Sequence, residues 1–224
     1  MYNLGFILMI ICFVLLVIFS VCYIFLDELK NLFVGLTKKK RIASKLKKFA
    51  IDHDFPLLSD VVIQIREDKY IKIDHIMIGN KYIYVIACKC YYGYLNAKTI
   101  DEKWVLYKRD KLVHIENPLK NNWKRIRLLS NLLENTSIED FVNIIYLSKP
   151  VVAKKIQGSN KKEFVLFEDD FEKFIEVYEK ECDLNEFSIK SINEAAKNIF
   201  EYHNKSIISF KEMNIKKENT NQNA

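Results

Sequence analysis

Residues 73–95 read IDHIMIGNKYIYVIACKCYYGYL, and the folding of this stretch sets the class of the protein. Two runs rich in β-branched and aromatic residues, KYIKIDHIMI (69–78) and KYIYVIACKC (81–90), flank Gly79-Asn80. A Gly-Asn step between such runs is a hairpin signal. With the turn placed there, residue 74 faces 85; a turn centre shifted by one residue makes its partner 87. In either register Asp74, Ala87 and Lys89 project from one face, because strand side chains alternate with period two. A carboxylate can hold Mg²⁺, and a lysine can orient a water or stabilise charge developing on a phosphate. The same residues also suit a plainer role, as an edge acid in water beside a solvated lysine.

Working outward, VVIQIR (61–66), a short piece around Tyr94, KWVLYK (103–108) and KLVHIE (111–116) read as further strands, with a second turn at Arg109-Asp110. Asn117-Pro118 opens a helix to about Glu134: Asn caps, Pro suits the first turn, and Leu119, Trp123, Ile126, Leu129, Leu132 and Leu133 follow helical spacing. FVNIIYLS (141–148) is apolar enough for a buried strand. Glu163 to Phe167 is a short strand. Helices follow at about 169–181 and 188–203, the second with Ser188, Ser191 and Glu194 as capping residues. Upstream, Ile42, Leu46 and Phe49 at i, i+4, i+7 give a helix over 38–51 capped by Thr37. There is no internal repeat. The order helix, antiparallel strands, helix, strand, strand, helices gives an α/β fold (an α+β mixed sheet flanked by helices).

Ahead of this body lies LGFILMIICFVLLVIFSVCYIFL (4–26), without a single Lys, Arg, Asp or Glu. As a helix it would measure roughly 34 Å against a hydrocarbon core of roughly 30 Å. A cleaved signal peptide needs a basic leading region and a small-residue cleavage site, and both are lacking. The expectation is one N-terminal transmembrane helix (4–26), a juxtamembrane linker (27–37), a domain over 38–205 and a polar, disordered tail over 206–224. The basic residues Lys38, Lys39, Lys40, Arg41, Lys45, Lys47 and Lys48 follow the span with no acid among them. They place the domain on the cytoplasmic side of the cell's inner membrane with the N-terminus outside. Lys38, Lys39, Lys40, Arg41 and Lys45 then face either anionic lipid headgroups or nucleic acid.

Composition agrees. The 224 residues are 50% hydrophobic with five Cys, five Gly and three Pro, which excludes a disulfide scaffold, a collagen-like repeat and a mostly disordered chain. The net charge of +6 is a mild excess, compatible with nucleic acid or anionic lipid. Cytosolic thiols stay reduced, so Cys88, Cys90 and Cys182 are expected free, with Cys12 and Cys22 in the membrane. Cys88 and Cys90 flank Lys89 on the opposite strand face, and no second Cys/His pair with zinc spacing accompanies them; core filling is their role. Trp104 and Trp123 fall on apolar stripes and read as core. His53, His114 and His203 carry no pattern.

At the hairpin the sequence resembles a family. IDHIMIG, YVIACKCYYGYL, Trp104 and ENPLKNNW look like the nuclease-related domain, NERD, of the PD-(D/E)xK, restriction-endonuclease-like fold. Asp74-His75, Val85-Ile86, Lys89, Gly93, Trp104 and Asn117-Pro118 fall in that family's places over about residues 38–135. The resemblance implies action on DNA or another phosphodiester, with Asp74 holding Mg²⁺ and Lys89 supporting the attacking water.

The departures are chemical. The Glu of Glu-x-Lys is Ala87, the helix Gln is Asn121, and Lys39, Lys40 and Arg41 stand where the family's first helix carries a Glu. Only Asp74 remains of a set that should supply two or three acids, and one carboxylate is a poor minimum for Mg²⁺. Glu67, Asp68, Asp101 and Glu102 are near enough in sequence to be considered as substitutes, and His75 is either structural or catalytic. The expected function is a nucleic-acid-binding or scaffolding module with a degraded metal site, a pseudoenzyme. Its rivals are a working Mg²⁺-dependent endonuclease, a protein-partner scaffold at the membrane without nucleic acid, and a lipid sensor built on 38–48.

Overall fold

The computed structural model describes residues 4–67, 69–108, 111–133, 136–148, 152–153, 162–181 and 185–222. The chain divides into two compact units, residues 1–41 and 42–224. Helix α1 (Leu4–Asp52) starts where the apolar segment starts. In the first unit the described side chains from Gly5 to Val21 are all exposed. No helix among the described residues is long and apolar enough to cross a membrane. The span expected over Leu4–Leu26 lies only partly within the described side chains, which stop at Val21 and resume at Thr37. Residues 27–37 belong to α1, so Thr37 is interior and caps nothing; helix-forming residues continue on both sides of it.

The second unit is built on a five-stranded mixed sheet in the order β1-β2-β3-β7-β9 and a four-stranded sheet in the order β6-β5-β4-β8. The strands are β1 (Leu57–Arg66), β2 (Lys69–Ile78), β3 (Ile83–Lys89), β4 (Tyr94–Asn96), β5 (Lys103–Lys108), β6 (Lys111–Glu116), β7 (Phe141–Leu147), β8 (Val152–Ala153) and β9 (Glu163–Phe167). The helices are α2 (Pro118–Leu132), α3 (Phe171–Lys180) and α4 (Ile189–Gln222). The mixed α/β architecture is as the pattern of elements implied. β2 and β3 are antiparallel with Ile78 opposite Ile83 and His75 opposite Ile86. β3, β7 and β9 run parallel, and the near-continuous burial of β3 and β7 is what parallel strands covered on both faces require.

Three apolar clusters occupy the faces. Ile42, Leu46 and Phe49 of α1 and Phe171 and Ile175 of α3 cover one face of the large sheet through Met77, Tyr84, Ile86, Cys88, Val142, Ile144 and Tyr146. Helices α2 and α4 cover the other through Ile126, Leu129, Ala195 and Ile199 against Val61, Ile63, Ile76, Ile83 and Val85. The second sheet packs Leu95, Trp104 and Leu106 on Ala87, Leu119, Ile145 and Leu147.

The tail expected to be disordered from residue 206 is helical as far as Gln222. As far as Phe210 the helix is held by two polar contacts and one aromatic contact. The Ser206 hydroxyl accepts the Gln64 N–H at 2.8 Å, Ser209 meets the Tyr70 hydroxyl at 3.1 Å, and Phe210 packs edge-on against Tyr70. The first of these answers an open backbone group of the outer strand β1, a common way to protect a sheet edge, and the other two hold the helix on the Tyr70 side chain of β2.

Candidate functional site

Asp74 sits where the β2–β3 ladder ends. The last pair is His75 with Ile86, so the next position sets Asp74 opposite Ala87, the one-residue-shifted register of the two expected. Pairing of β1 with β2 is also interrupted here, between Ser59–His75 and Val61–Ile73, and Asp60 at the break has φ +54°. The strand turns over at this point: Ile73 packs in the same cluster as Ile76 and Ile78, which unbroken alternation forbids. A left-handed Asp is among the less costly ways to make such a distortion.

The break frees Asp74 for a new partner. Its Oδ2 accepts the N–H of Cys88 at 2.9 Å, so a side chain takes over a ladder bond between β2 and β3. Beside it, the Ser59 hydroxyl and His75 Nδ1 lie 2.8 Å apart across the β1–β2 pair, and His75 is buried. That bond accounts for the histidine as a fixed structural element. Lys89 is half-buried at the end of β3, and its carbonyl accepts the Ser148 N–H at 3.1 Å.

Ala87 is 3% exposed and packs in the cluster that holds Leu95, Trp104, Leu106, Ile145 and Leu147. The position where the family pattern has a glutamate is therefore lined by hydrocarbon. Asn121, at the position of the family glutamine, donates to Glu116 at 2.9 Å. Of the possible substitute acids, Glu67 is exposed, Asp68 lies outside the described residues, Asp101 is exposed, and Glu102 is held by Lys120. Among the described residues no three His, Cys, Asp or Glu groups converge as a metal would need. The described residues do not fit a Mg²⁺ centre of the expected kind: Asp74 has one oxygen on a backbone amide, and the position opposite it is an alanine in an apolar cluster.

Three buried polar groupings were invisible in the sequence. Glu168, just past β9, has its side chain 3% exposed and is paired with Lys45 at 2.7 Å; Lys45, expected to face lipid or nucleic acid, thus holds a buried acid. Asn122 donates to the Val85 carbonyl at 2.8 Å and to Asn143 at 2.9 Å, and Asn143 donates to the Leu119 carbonyl at 2.9 Å. This pair clamps α2 onto β3 and β7. Glu179 of α3 accepts the Tyr84 hydroxyl at 2.7 Å and the Lys81 N–H at 3.0 Å. Burial pushes its carboxyl above the ordinary value, against the pull of those two donors.

Asn117-Pro118 has a structural task. Asn117 accepts the Leu119 N–H at 2.9 Å as the cap of α2 and donates to the carbonyls of Thr99 and Asp101 at 2.8 and 2.7 Å. Cys88 and Cys90 are free thiols packed in or against the first cluster, and Trp104 is fully buried with its indole N–H on the Lys98 carbonyl at 2.9 Å. Trp123 is half-buried and donates to Glu163 at 2.8 Å. A mixed-charge cleft of about 790 Å³ opens beside the start of α2, lined in part by Lys103, Glu116, Lys120, Lys124, Arg127 and Glu163; it contains neither Asp74 nor Lys89.

Comparison with known proteins fits this geometry. An uncharacterized protein of Bacillus anthracis is 24% identical over 139 residues, which is 62% of this chain and 63% of that relative. The chain therefore spans less than two thirds of the relative's length. No solved structure matches the chain. Residues 34–152, more than half of the chain, match the nuclease-related domain, NERD; with the Asp-His strand, the strand ending at Lys89 and the Asn-Pro helix start all inside that range, the chain belongs to the nuclease-related domain family.

Proposed function

We propose that this protein is a membrane-anchored, nuclease-related module that binds nucleic acid and does not cut it. The observation that carries the second half is Ala87. A phosphodiesterase metal must generate a nucleophilic water and clamp phosphate oxygens, and the position beside Asp74 offers it a methyl group in an apolar cluster. One oxygen of Asp74 is meanwhile engaged by the Cys88 amide. What supports the anchor is α1 itself: no charge from Leu4 to Leu26, and apolar side chains exposed all round, Phe19 at 73% among them. A helix with no polar face has its natural surroundings in lipid. The basic run that begins at Lys38 supports a cytoplasmic domain on the inner membrane and a contact of Lys38, Lys39, Lys40 and Arg41 with anionic headgroups.

The test uses the full chain in nanodiscs of neutral lipid, incubated with supercoiled plasmid and Mg²⁺ or Mn²⁺ over a series of KCl concentrations. The expected result is retarded, uncut plasmid whose binding weakens steeply with salt, as release of counterions from phosphates requires, and no thermal stabilisation by either metal. Nicking that disappears in Asp74→Ala and Lys89→Ala would establish a working endonuclease instead. Absence of any plasmid binding would leave a scaffold for a protein partner.

A further inference from the structure

The second sheet has an outer face that no apolar cluster of the described residues covers. On β5, Trp104 and Leu106 point into the core, while Lys103, Val105 and Tyr107 alternate outward. On β4, Leu95 is buried and Tyr94 and Asn96 face outward; on β6, Leu112, His114 and Glu116 are exposed. The pairing aligns these residues in rows across the three strands. Tyr94, Tyr107 and Leu112 form one row, and Asn96, Val105 and His114 the next. Tyr107 is 42% and Leu112 52% exposed. The rings of Tyr94 and Tyr107 lie 5.9 Å apart, tilted by 55°. Basic residues frame the row: Lys108 and Lys111 close the β5–β6 hairpin beside it, and Lys103 lies farther along β5. Among the described residues none of these three lysines is in an ion pair. Glu116 opposite Lys103 is the acid on this face, at the end away from the tyrosines.

We propose that this face is a stacking platform for single-stranded nucleic acid, with Tyr107 and Tyr94 receiving bases and Lys108 and Lys111 the flanking phosphates. The inference rests on the nucleic-acid reading above and gives it a place and a strandedness. Exposed aromatic rings on a sheet, beside lysines that form no ion pair among the described residues, match unstacked bases on a charged backbone. A duplex hides its bases and offers such rings nothing to stack on. The platform is separate from Asp74 and Lys89, so it does not depend on a metal.

The full chain in neutral-lipid nanodiscs is titrated with fluorescent oligo-dT and with a duplex of equal length. Oligo-dT is expected to bind more tightly than the duplex. Tyr107→Ala should weaken oligo-dT binding about tenfold or more, the loss of one stacked base, while Tyr107→Phe keeps it. Tyr94→Ala should weaken it in the same direction, and Lys108→Gln with Lys111→Gln should flatten the salt dependence. Equal binding by Tyr107→Ala and the parent, loss of binding in Tyr107→Phe, or a duplex that competes as well as oligo-dT each overturns the platform and leaves nucleic-acid binding elsewhere on the domain intact. No binding of either nucleic acid by the parent overturns the nucleic-acid reading together with the platform, and turns the face over to a protein or lipid partner.

Discussion

The Asp74 carboxylate accepts the Cys88 amide at 2.9 Å, one position beyond the last ordinary pair of the β2–β3 ladder. A side chain thereby continues the strand pairing past the break at Asp60, and the residue most readily assigned to a metal has a structural duty. Asp74→Ala removes that acceptor from a part-buried amide and should cost about 1–3 kcal/mol of stability. Asp74→Asn retains a carbonyl oxygen and should recover most of the loss. Urea unfolding of the two variants checks this. Equal stability of Asp74→Ala and the parent would show that the bond contributes nothing and that the carboxylate is held for another purpose.

Ala87→Glu tests the apolar wall. A glutamate there enters a cluster of Leu, Ile and Trp side chains, and its charged form is penalised by lost hydration. Its folded pKa is therefore raised above the unfolded one, so the folded state holds the proton over a pH range where the unfolded state has released it. Stability falls as pH rises through that range. The expected variant is less stable than the parent at pH 7 by about 3 kcal/mol or more, the size of a buried charge without a partner, and loses less at pH 4.5. Thermal unfolding at both pH values measures it. A variant that is stable at pH 7 and nicks plasmid would mean that position 87 accommodates a charged carboxylate beside Asp74.

The same sign logic applies to Glu179. Its pKa is raised above the ordinary 4.5 by burial, with the Tyr84 hydroxyl first among the groups pulling it back. Tyr84→Phe removes that donor, so the carboxyl rises further. Below about pH 4 the group is protonated in both states and the variant should lose little. As pH rises through the interval above 4.5, the folded state must ionise a carboxylate that has lost its Tyr84 donor and keeps the Lys81 N–H, and the deficit grows toward about 1–2 kcal/mol, within the range for a buried group that loses one hydrogen bond. A deficit independent of pH would refute the coupling. The site has no slack: a Cβ on Gly79 would stand 2.1 Å from Glu179 Oε1, which is why the hairpin turn begins on a glycine.

Local structure was largely legible in the sequence, and long-range polar pairing was not. Gly79-Asn80 and the flanking alternation disclosed the hairpin, and its register to within one residue, because turn chemistry and period two act over a few positions. Asn117-Pro118 disclosed the start of α2 for the same reason. The helix at 206–211 stayed hidden, since its stability depends on Gln64 and Tyr70, some 140 residues away. Lys45 read as a contact for lipid or nucleic acid because its acid, Glu168, is equally remote. Asp74 was found by its place in a strand, but its partner is a main-chain amide, which no residue-type pattern displays.

Asn117 offers the last test, because one side chain serves three places. It caps α2 through Leu119 and ties down the loop before β5 through the Thr99 and Asp101 carbonyls. Asn117→Asp keeps the cap acceptor and adds a charge that favours a helix N-terminus, yet it has no N–H for the two carbonyls and sets a negative charge against them. Asn117→Ser also keeps a cap acceptor and adds no charge. If capping dominates, Asp and Ser should both fall within about 0.5 kcal/mol of the parent. If the loop contacts dominate, Asp should be the worse of the two, by about 1–3 kcal/mol as the cost of buried acceptors left without donors. The burial of the asparagine and the two short bonds to the loop favour the second outcome. Hydrogen exchange of the amides of residues 97–102 separates it from simple helix fraying: loosened protection there with α2 unchanged is the expected pattern, and loosening confined to the first turn of α2 would overturn it.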